Sequence, residues 1–297
     1  MRLKLLSIHD KKAVTAFLDI KKHELAAYAF ENIYIWKALY DIYWVVLEDA
    51  LCIFFKDSLG CFLYLPPLAK KLTPAVIKDA FAIMDSYTTH AHLSRIENIE
   101  QQDLVFFKKA GYQCAEKFPD YLCERKALSL LAGNAFKSKR AAVNHFRKNY
   151  SFEYIPYAAR FKDECVSLYS RWMATYKASN QDPVYQGMLK DSLLSLKVLV
   201  EGYADLGAVG RLIRIDDELK ACTFGFKISK ETFCILFEVT DLSIKGISQY
   251  IFARFCQELE SYTYINIMDD CGLENLKRVK LSYHPVKQAA SFIATRK

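Results

Sequence analysis

The sequence has no CxxC pair, no zinc-ligand spacing, no P-loop, no EF-hand loop and no Ser-His-Asp order. Those absences exclude the usual signatures of structural zinc, P-loop nucleotide hydrolysis, calcium sensing and triad hydrolysis. No run of about 18 uncharged apolar residues occurs, so no transmembrane segment is expected. The opening MRLKLLSIHDKK has too short an apolar stretch for a secretory signal. Nine cysteines, an odd number, lie mostly within apolar runs, as Cys234 does in FCILF. That pattern predicts buried, reduced thiols and a cytoplasmic protein. His90 and His92 form an HxH, but no third ligand stands near them in the sequence, and no metal site is expected.

What is present is apolar and aromatic mass. The chain has 297 residues, 52% hydrophobic and 14% aromatic, enough for real cores and for two domains of ordinary size. Its net charge of +7 permits an anionic partner such as a phosphate, a nucleotide, tRNA or an anionic lipid, and equally suits plain solubility.

The chain repeats itself. WVVLEDALCIFFKDSLGCFLYLPP carries apolar runs broken at Glu48-Asp49 and Lys56-Asp57, predicting three strands joined by tight turns. GRLIRIDDELKACTFGFKISKETFCILFEVTD carries three more, with turns at Asp216-Asp217 and Ser229-Lys230. Asp49 and Asp217 stand 168 residues apart. Downstream, the helical pattern TPAVIKDAFAIMDSY, opened by Thr73-Pro74, corresponds to SQYIFARFCQELESY. The strand HLSRIENI corresponds to YTYINIM, and the helix QQDLVFFKKAGY to CGLENLKRVKLSY. Tyr112 and Tyr283 stand 171 residues apart. Upstream, LKLLSIHDKKAVTAFL and FEYIPYAARFKDECVSLY each read as a strand and then a helix, at an offset of about 150, so the second half carries extra helical residues. The reading is an internal duplication, with one domain over 1–128 and a second over 129–297. The second begins with a basic linker helix inside 129–150. Each copy predicts a mixed α+β sheet with helices on its faces.

That element order resembles the GNAT acyltransferase fold. Three segments make the resemblance narrower: 31 ENIYIWKALYDIYW 44, 120 DYLCERKALSLLAG 133 with KSKRAAVNHF after it, and 264 YINIMDDCGLENLKRVKLSYHP 285. In that order, over nearly the whole chain, they are similar to the phosphatidylglycerol lysyltransferase C-terminal-domain family, itself related to the peptidoglycan aminoacyl transferases. The resemblance implies two tandem GNAT-like domains. It implies acyl or aminoacyl transfer from acyl-coenzyme A or aminoacyl-tRNA, as co-substrate rather than bound cofactor, to an amine or hydroxyl acceptor. A duplicated fold kept as a non-catalytic module for a phosphate-bearing ligand or partner is the alternative.

Candidate residues follow, each with a plainer role open to it. Lys245, Gly246, Ser248 and Gln249 precede or open a helix where a GNAT fold binds its donor pyrophosphate. Gly246 would admit a close backbone approach, Ser248 could cap the helix and Lys245 adds charge. An ordinary helix start would look the same. The corresponding LPPLAKKLTP of the first copy lacks glycine, and its prolines remove amide donors. By strand alternation Phe233, Ile235, Phe237 and Val239 share one face, and Cys234, Leu236 and Glu238 the other. Glu238 among apolar neighbours would have a raised pKa and could serve as general base, or could be a strand-end acid paired to a lysine.

In the C-terminal motif, Asn266 lies near a strand end, and Asp269 or Asp270 could accept amides at the start of a helix over 273–280. Gly272 allows a tight turn, and Lys277, Arg278 and Lys280 form an exposed cationic face. The resemblance makes Tyr283 the acid that protonates the departing group. In the basic helix, Lys139, Arg140 and Asn144 are donor-binding candidates, or a solvated surface.

Overall fold

The computed structural model describes residues 3–88 and 93–296. The HxH residues His90 and His92 fall outside them. In chain order the elements are β1 (Lys4–Leu5), α1 (Lys11–Leu18), α2 (Phe30–Tyr34), β2 (Asp41–Leu47), β3 (Ala50–Lys56), β4 (Cys61–Leu63), α3 (Pro74–Ser86), β5 (Arg95–Glu100), α4 (Gln101–Lys109) and β6 (Gln113–Glu124). They continue with α5 (Arg125–Leu130), α6 (Lys137–Asn149), β7 (Glu153–Pro156), α7 (Lys162–Ser179), α8 (Pro183–Glu201), α9 (Tyr203–Leu206), β8 (Val209–Ile215), β9 (Glu218–Lys227) and β10 (Thr232–Thr240). The last are α10 (Ile247–Glu258), β11 (Tyr264–Asn266), α11 (Glu274–Leu281) and β12 (Lys287–Thr295).

The local chemistry places these elements where the sequence puts them. The β2–β3 turn uses Glu48 at φ 51°, and the β8–β9 turn uses Asp216 and Asp217 at φ 49° and 62°. The short side chains of Asp216 and Asp217 suit that left-handed region better than most residues other than glycine; Glu48 takes it without that advantage. Pro74 opens α3, and the Thr73 hydroxyl accepts the Val76 N–H at 3.3 Å, an N-cap that satisfies a helix amide. Both predicted three-strand spans are antiparallel meanders without a helix, β2–β3–β4 and β8–β9–β10. The extra residues of the second copy are helical, α7 and α8.

Two compact units result. The first holds the chain up to Asp120, with Asp269–Leu273 and the final strand from Gln288; the second holds Tyr121–Met268 and Glu274–Lys287. In the first, the sheet order is β1-β2-β3-β4-β5-β12, with β5 parallel to β4 at Leu63↔Ile96 and β12 antiparallel to β5. In the second it is β7-β8-β9-β10-β11-β6, with β11 parallel to β10 and the end of β6, Leu122–Glu124, antiparallel to β11. The copies have therefore exchanged their last strands: β6 completes the second sheet and β12 the first. A boundary at 128/129 keeps each terminal strand with its own copy, whereas the compact units divide after Asp120 and take up distant segments. Strand pairing between residues so far apart, Leu122 with Asn266 and Arg95 with Thr295, leaves no local trace in hydrophobic pattern.

The basic segment is part of the second core rather than a solvated link. Phe146 on α6 is fully buried, with ring centroids of Phe152 at 4.7 Å, Tyr250 at 5.1 Å and Tyr150 at 5.3 Å. Burying one such ring contributes about 1.5–3 kcal/mol, more than a solvated linker helix would gain. Of the nine free cysteines, seven are buried; Cys114 is half-buried and Cys271 exposed.

Candidate functional site

The strands β10 and β11 run parallel only from Thr232↔Tyr264 to Cys234↔Asn266, after which β11 ends and β10 continues to Thr240. Asn266 marks the parting. It is fully buried, and its Oδ1 accepts the Met268 N–H at 2.7 Å, holding Met268 at φ 65° and turning the chain away from β10. Backbone groups freed there need other partners. Lys280 supplies one: its Nζ donates to the Ile267 carbonyl. This lysine is buried at 8% exposure and is the one buried residue of α11. It is thus not part of an exposed cationic face, a role left to Lys277 and Arg278. An α-helical wheel assigns a lone lysine to solvent; the bond to the Ile267 carbonyl and the charge of Glu238 hold this one inside.

Glu238 lies beyond the parting, and its orientation differs from strict alternation. Ile235 and Phe237 of β10 pair with the adjacent residues Gly225 and Phe224 of β9, so Leu236 is an extra residue in a β-bulge. Adjacent residues of β9 face opposite sides, so the alternation of β10 reverses after Leu236. Glu238 consequently shares the side of Phe233 and Ile235, which pack with Phe252 and Phe255 of α10, rather than the side of Cys234. The bulge brings the carboxylate under the first turn of α10. There the Ser248 hydroxyl donates to Glu238 Oε1 at 2.5 Å, the short range of a charge-assisted bond. Burial pushes the Glu238 carboxyl up to about 7, against the Ser248 hydrogen bond and the charges of Lys139 and Lys280, which pull it down.

Tyr283 joins the same group. It is 8% exposed, its ring centroid 4.5 Å from that of Phe252, and Lys139 Nζ sits 3.9 Å over the ring. The Lys139 ammonium also donates to Ser282 Oγ at 2.7 Å. Burial, and then the negative charge of Glu238, raise the Tyr283 hydroxyl well above its ordinary value. Lys139 is shifted down by burial, opposed by Glu238. Glu238, Ser248, Lys139, Lys280 and Tyr283 therefore form one electrostatically linked cluster on one face of the second sheet.

Other candidates have different duties. Gly246 is the residue before α10, at φ 88°, and a Cβ there would lie 2.2 Å from the Ala142 carbonyl oxygen of α6. The close approach that requires glycine is that of a helix backbone, not of a ligand. Ser248 does not cap α10, since its hydroxyl is committed to Glu238 and Gly246 holds the cap position. The Arg140 guanidinium donates to the carbonyls of Leu131, at φ 49°, and Gly133, so it closes the C-terminus of α5. Asn144 and Lys245 are exposed, and Gln249 is half-buried in the first turn of α10.

The Asp pair belongs to the first unit. Asp269 Oδ1 accepts the Cys271 N–H at 2.7 Å and Asp270 Oδ1 the Gly272 N–H at 2.9 Å, two successive side-chain turns ahead of α11, which starts at Glu274. Gly272 turns at φ 72°, where a Cβ would meet the Phe118 ring at 2.6 Å.

One group escaped the sequence reading. In the first unit burial raises the Tyr64 hydroxyl, and the charges of Glu97, Asp120 and Asp269 raise it further, against a hydrogen bond to Trp36. Asn32 Nδ2 lies 3.4 Å from that hydroxyl. Asn32 and Trp36 come from ENIYIWKALYDIYW, so the segment itself was the available signal.

Removing one neighbour tests the electrostatics. Lys280→Met is expected to raise the Glu238 pKa further above 7, read by NMR titration of a carbon-13-labelled glutamate side chain. It should also cost about 1–3 kcal/mol, because the Ile267 carbonyl loses its partner.

Over its whole length the chain resembles a conserved protein of unknown function from Bacteroides thetaiotaomicron, at 26% identity and TM-score 0.88, with 100% of each chain covered. L-PGS from Bacillus licheniformis has the same fold at 18% identity and TM-score 0.67, over 97% of this chain and 92% of that one. So does a tandem GNAT protein from the clavulanic acid biosynthesis pathway, at 9% identity and TM-score 0.53, over 99% and 98%. No curated protein matches the sequence. Two tandem GNAT-like units, the quoted motifs and a family model matched over residues 20–295 converge: the chain belongs to the phosphatidylglycerol lysyltransferase C-terminal family.

Proposed function

We propose that the cluster around Glu238 transfers an acyl or aminoacyl group to an amine or hydroxyl acceptor. The observation that carries this reading is a carboxyl raised by burial to about 7, beside a buried tyrosine, at the point where two parallel strands part. Membership of a family named for lysyl transfer to phosphatidylglycerol supports it, as does a likeness in fold to L-PGS.

The chemistry follows from the two pKa directions. A carboxylate near 7 is half ionised at neutral pH and basic enough to take a proton from an attacking ammonium or hydroxyl. The acceptor's lone pair forms the new bond to the donor carbonyl carbon. The bond to the leaving oxygen of a tRNA ribose, or to the sulfur of coenzyme A, breaks. A proton from the Tyr283 hydroxyl, which stays protonated across the working range, neutralises the leaving group. Lys139 over the Tyr283 ring stabilises the negative charge that develops on the phenol. Direct transfer fits better than a covalent intermediate, because seven of the nine thiols are buried and burial pushes those of Cys52, Cys61, Cys123 and Cys256 up, away from the nucleophilic thiolate.

Tyr283→Phe is expected to lower turnover on the order of 10²-fold while leaving donor affinity nearly unchanged, since the hydroxyl acts in the transition state. Single-turnover rates and donor titration, run side by side, separate the two.

One observation favours the non-catalytic alternative. The glycine of the expected phosphate loop is spent on packing against α6, and Lys245 is merely exposed. The donor screen decides. Coenzyme A derivatives and aminoacyl-tRNA are added to the whole protein, and stability and transfer to small amines are both followed. A donor present at 100 times its dissociation constant stabilises by about 2.7 kcal/mol. Stabilisation with transfer supports the enzyme; stabilisation without transfer to any acceptor supports the binding module. Stabilisation by neither donor class overturns both.

A further inference from the structure

The cluster around Glu238 holds an amine of its own. Lys139 stands half-buried in the first turn of α6, its Nζ donating to Ser282 Oγ at 2.7 Å and lying 3.9 Å from the centre of the Tyr283 ring. Ser282 is exposed, so this amine is at the open side of the cluster, in reach of a molecule arriving from solvent. Other half-buried lysines are held by carboxylates: Lys11 by Glu31 at 2.9 Å, Lys117 by Glu97 at 2.7 Å and Lys220 by Asp241 at 3.3 Å. Among the described residues no carboxylate lies within such a distance of Lys139. Burial lowers its pKa, and Glu238, acting from farther away, only partly opposes the shift. An amine so placed is uncharged more often than an exposed lysine, and the uncharged form is the nucleophile. Nor does Lys139 close a helix end, a task that the neighbouring Arg140 performs for α5.

From this juxtaposition of a reachable amine with Glu238 and Tyr283 we infer that Lys139 is itself an acceptor, acylated at Nζ by a thioester or ester donor. The inference rests on the transferase reading of the same site. Glu238 takes one proton from the ammonium. The Nζ lone pair forms the bond to the donor carbonyl carbon, and the bond from that carbon to sulfur or to ribose oxygen breaks. The leaving atom takes a proton from the Tyr283 hydroxyl, and the second proton shed by Nζ replaces it. The product is a neutral amide where the cluster held a cation. Acylation thus withdraws the positive charge over the Tyr283 ring, and with it one of the charges that pull the Glu238 carboxyl down. The site limits itself: a donor that finds no other acceptor modifies the lysine that supports the reaction.

The whole protein is incubated with S-acetyl-N-acetylcysteamine, a thioester small enough to need no coenzyme site. Acetylation at each lysine is followed over time by peptide mass spectrometry. Lys137 and Lys148, exposed on the same helix, are the internal references. Lys139 should be acetylated about tenfold faster than either, the part of general-base assistance that survives partial burial. In Glu238→Gln the Lys139 rate should fall about tenfold while the reference rates stay as they were. A Lys139 rate no higher than those of Lys137 and Lys148 overturns the inference and leaves the lysine as a clamp between α6 and Ser282; transfer to small amines in the donor screen would stand regardless. A fast Lys139 that stays fast in Glu238→Gln upholds the inference and removes Glu238 from the proposed reaction. Carbon-13 titration of Glu238 checks the self-limiting effect without any donor. Lys139→Gln, neutral as the amide is, should move the Glu238 titration to higher pH, and Lys139→Arg should leave it near the native position. An unmoved titration in Lys139→Gln overturns that effect.

Discussion

Glu238→Gln is expected to lower turnover by about 10²–10⁴-fold, the span usual for loss of a general base, and to make the protein more stable above pH 7. The two effects have one cause. In the folded protein burial raises this carboxyl from 4.5 to about 7. Between those values the native state keeps a proton that the unfolded chain has released. Stability therefore falls as pH rises through that window, and above about 7 the loss is complete, at about 3 kcal/mol. Below about 4.5 both states are protonated and the cost vanishes. Glutamine keeps an acceptor for the Ser248 hydroxyl and carries no charge to desolvate. Urea unfolding at pH 4.5 and pH 8 should show the variant close to the native protein at the lower pH and more stable at the higher. An unchanged difference between the two pH values would mean that Glu238 is not desolvated. Activity retained in a variant that shows the stability gain would remove Glu238 from the reaction while keeping it as a half-buried acid with a raised pKa.

Gly246→Val is expected to destabilise the second unit by roughly 2–5 kcal/mol, or to prevent its folding. The φ of 88° is open to glycine and strained for a β-branched residue. The new Cβ would also stand 2.2 Å from the Ala142 oxygen and 2.9 Å from its carbonyl carbon. Neither atom is the end of a side chain that could rotate away, so α6 or the start of α10 must shift. Gly246→Ala should lose less, since it carries the same strain without the branching methyls. Thermal unfolding of both variants in the absence of any donor provides the measurement. A native melting curve for Gly246→Val would restore this glycine as a site of ligand approach.

Local chemistry made much of the fold legible. Acidic residues at the hairpin turns, Thr73-Pro74 at the start of α3, and the alternation of β2 and β8 each act within a few residues. The duplication was visible because both copies keep those signals in one order. The candidate site was legible in part. Glu238 and Tyr283 do belong to one linked cluster, and Asn266 does end its strand. What could not be read is what depends on partners distant in the chain. The extra residue Leu236 is a bulge only relative to β9, and it turns Glu238 to the opposite face. Lys280 is buried because a carbonyl thirteen positions earlier loses its ladder. Arg140 looks like a phosphate ligand until the left-handed end of α5 is placed beside it. Tyr64 gains its three acidic neighbours from positions 97, 120 and 269; two of these lie in the quoted segments, but nothing local ties the segments to Tyr64.

The exchange of terminal strands has a consequence for how the chain is made. A ribosome delivers the N-terminal copy first, and domains generally fold as they emerge. Here the first unit lacks β12 until the second copy has been translated, because residues 288–295 follow it in the chain. Throughout translation of the second copy, β5 is an uncovered edge with free amides and carbonyls, the template on which unwanted strand pairing begins. Removing the last ten residues should therefore damage the first unit more than the second. Neither half of the gene, expressed alone, encodes a complete sheet, and the two halves supplied as separate chains would each have to accept a strand from the other.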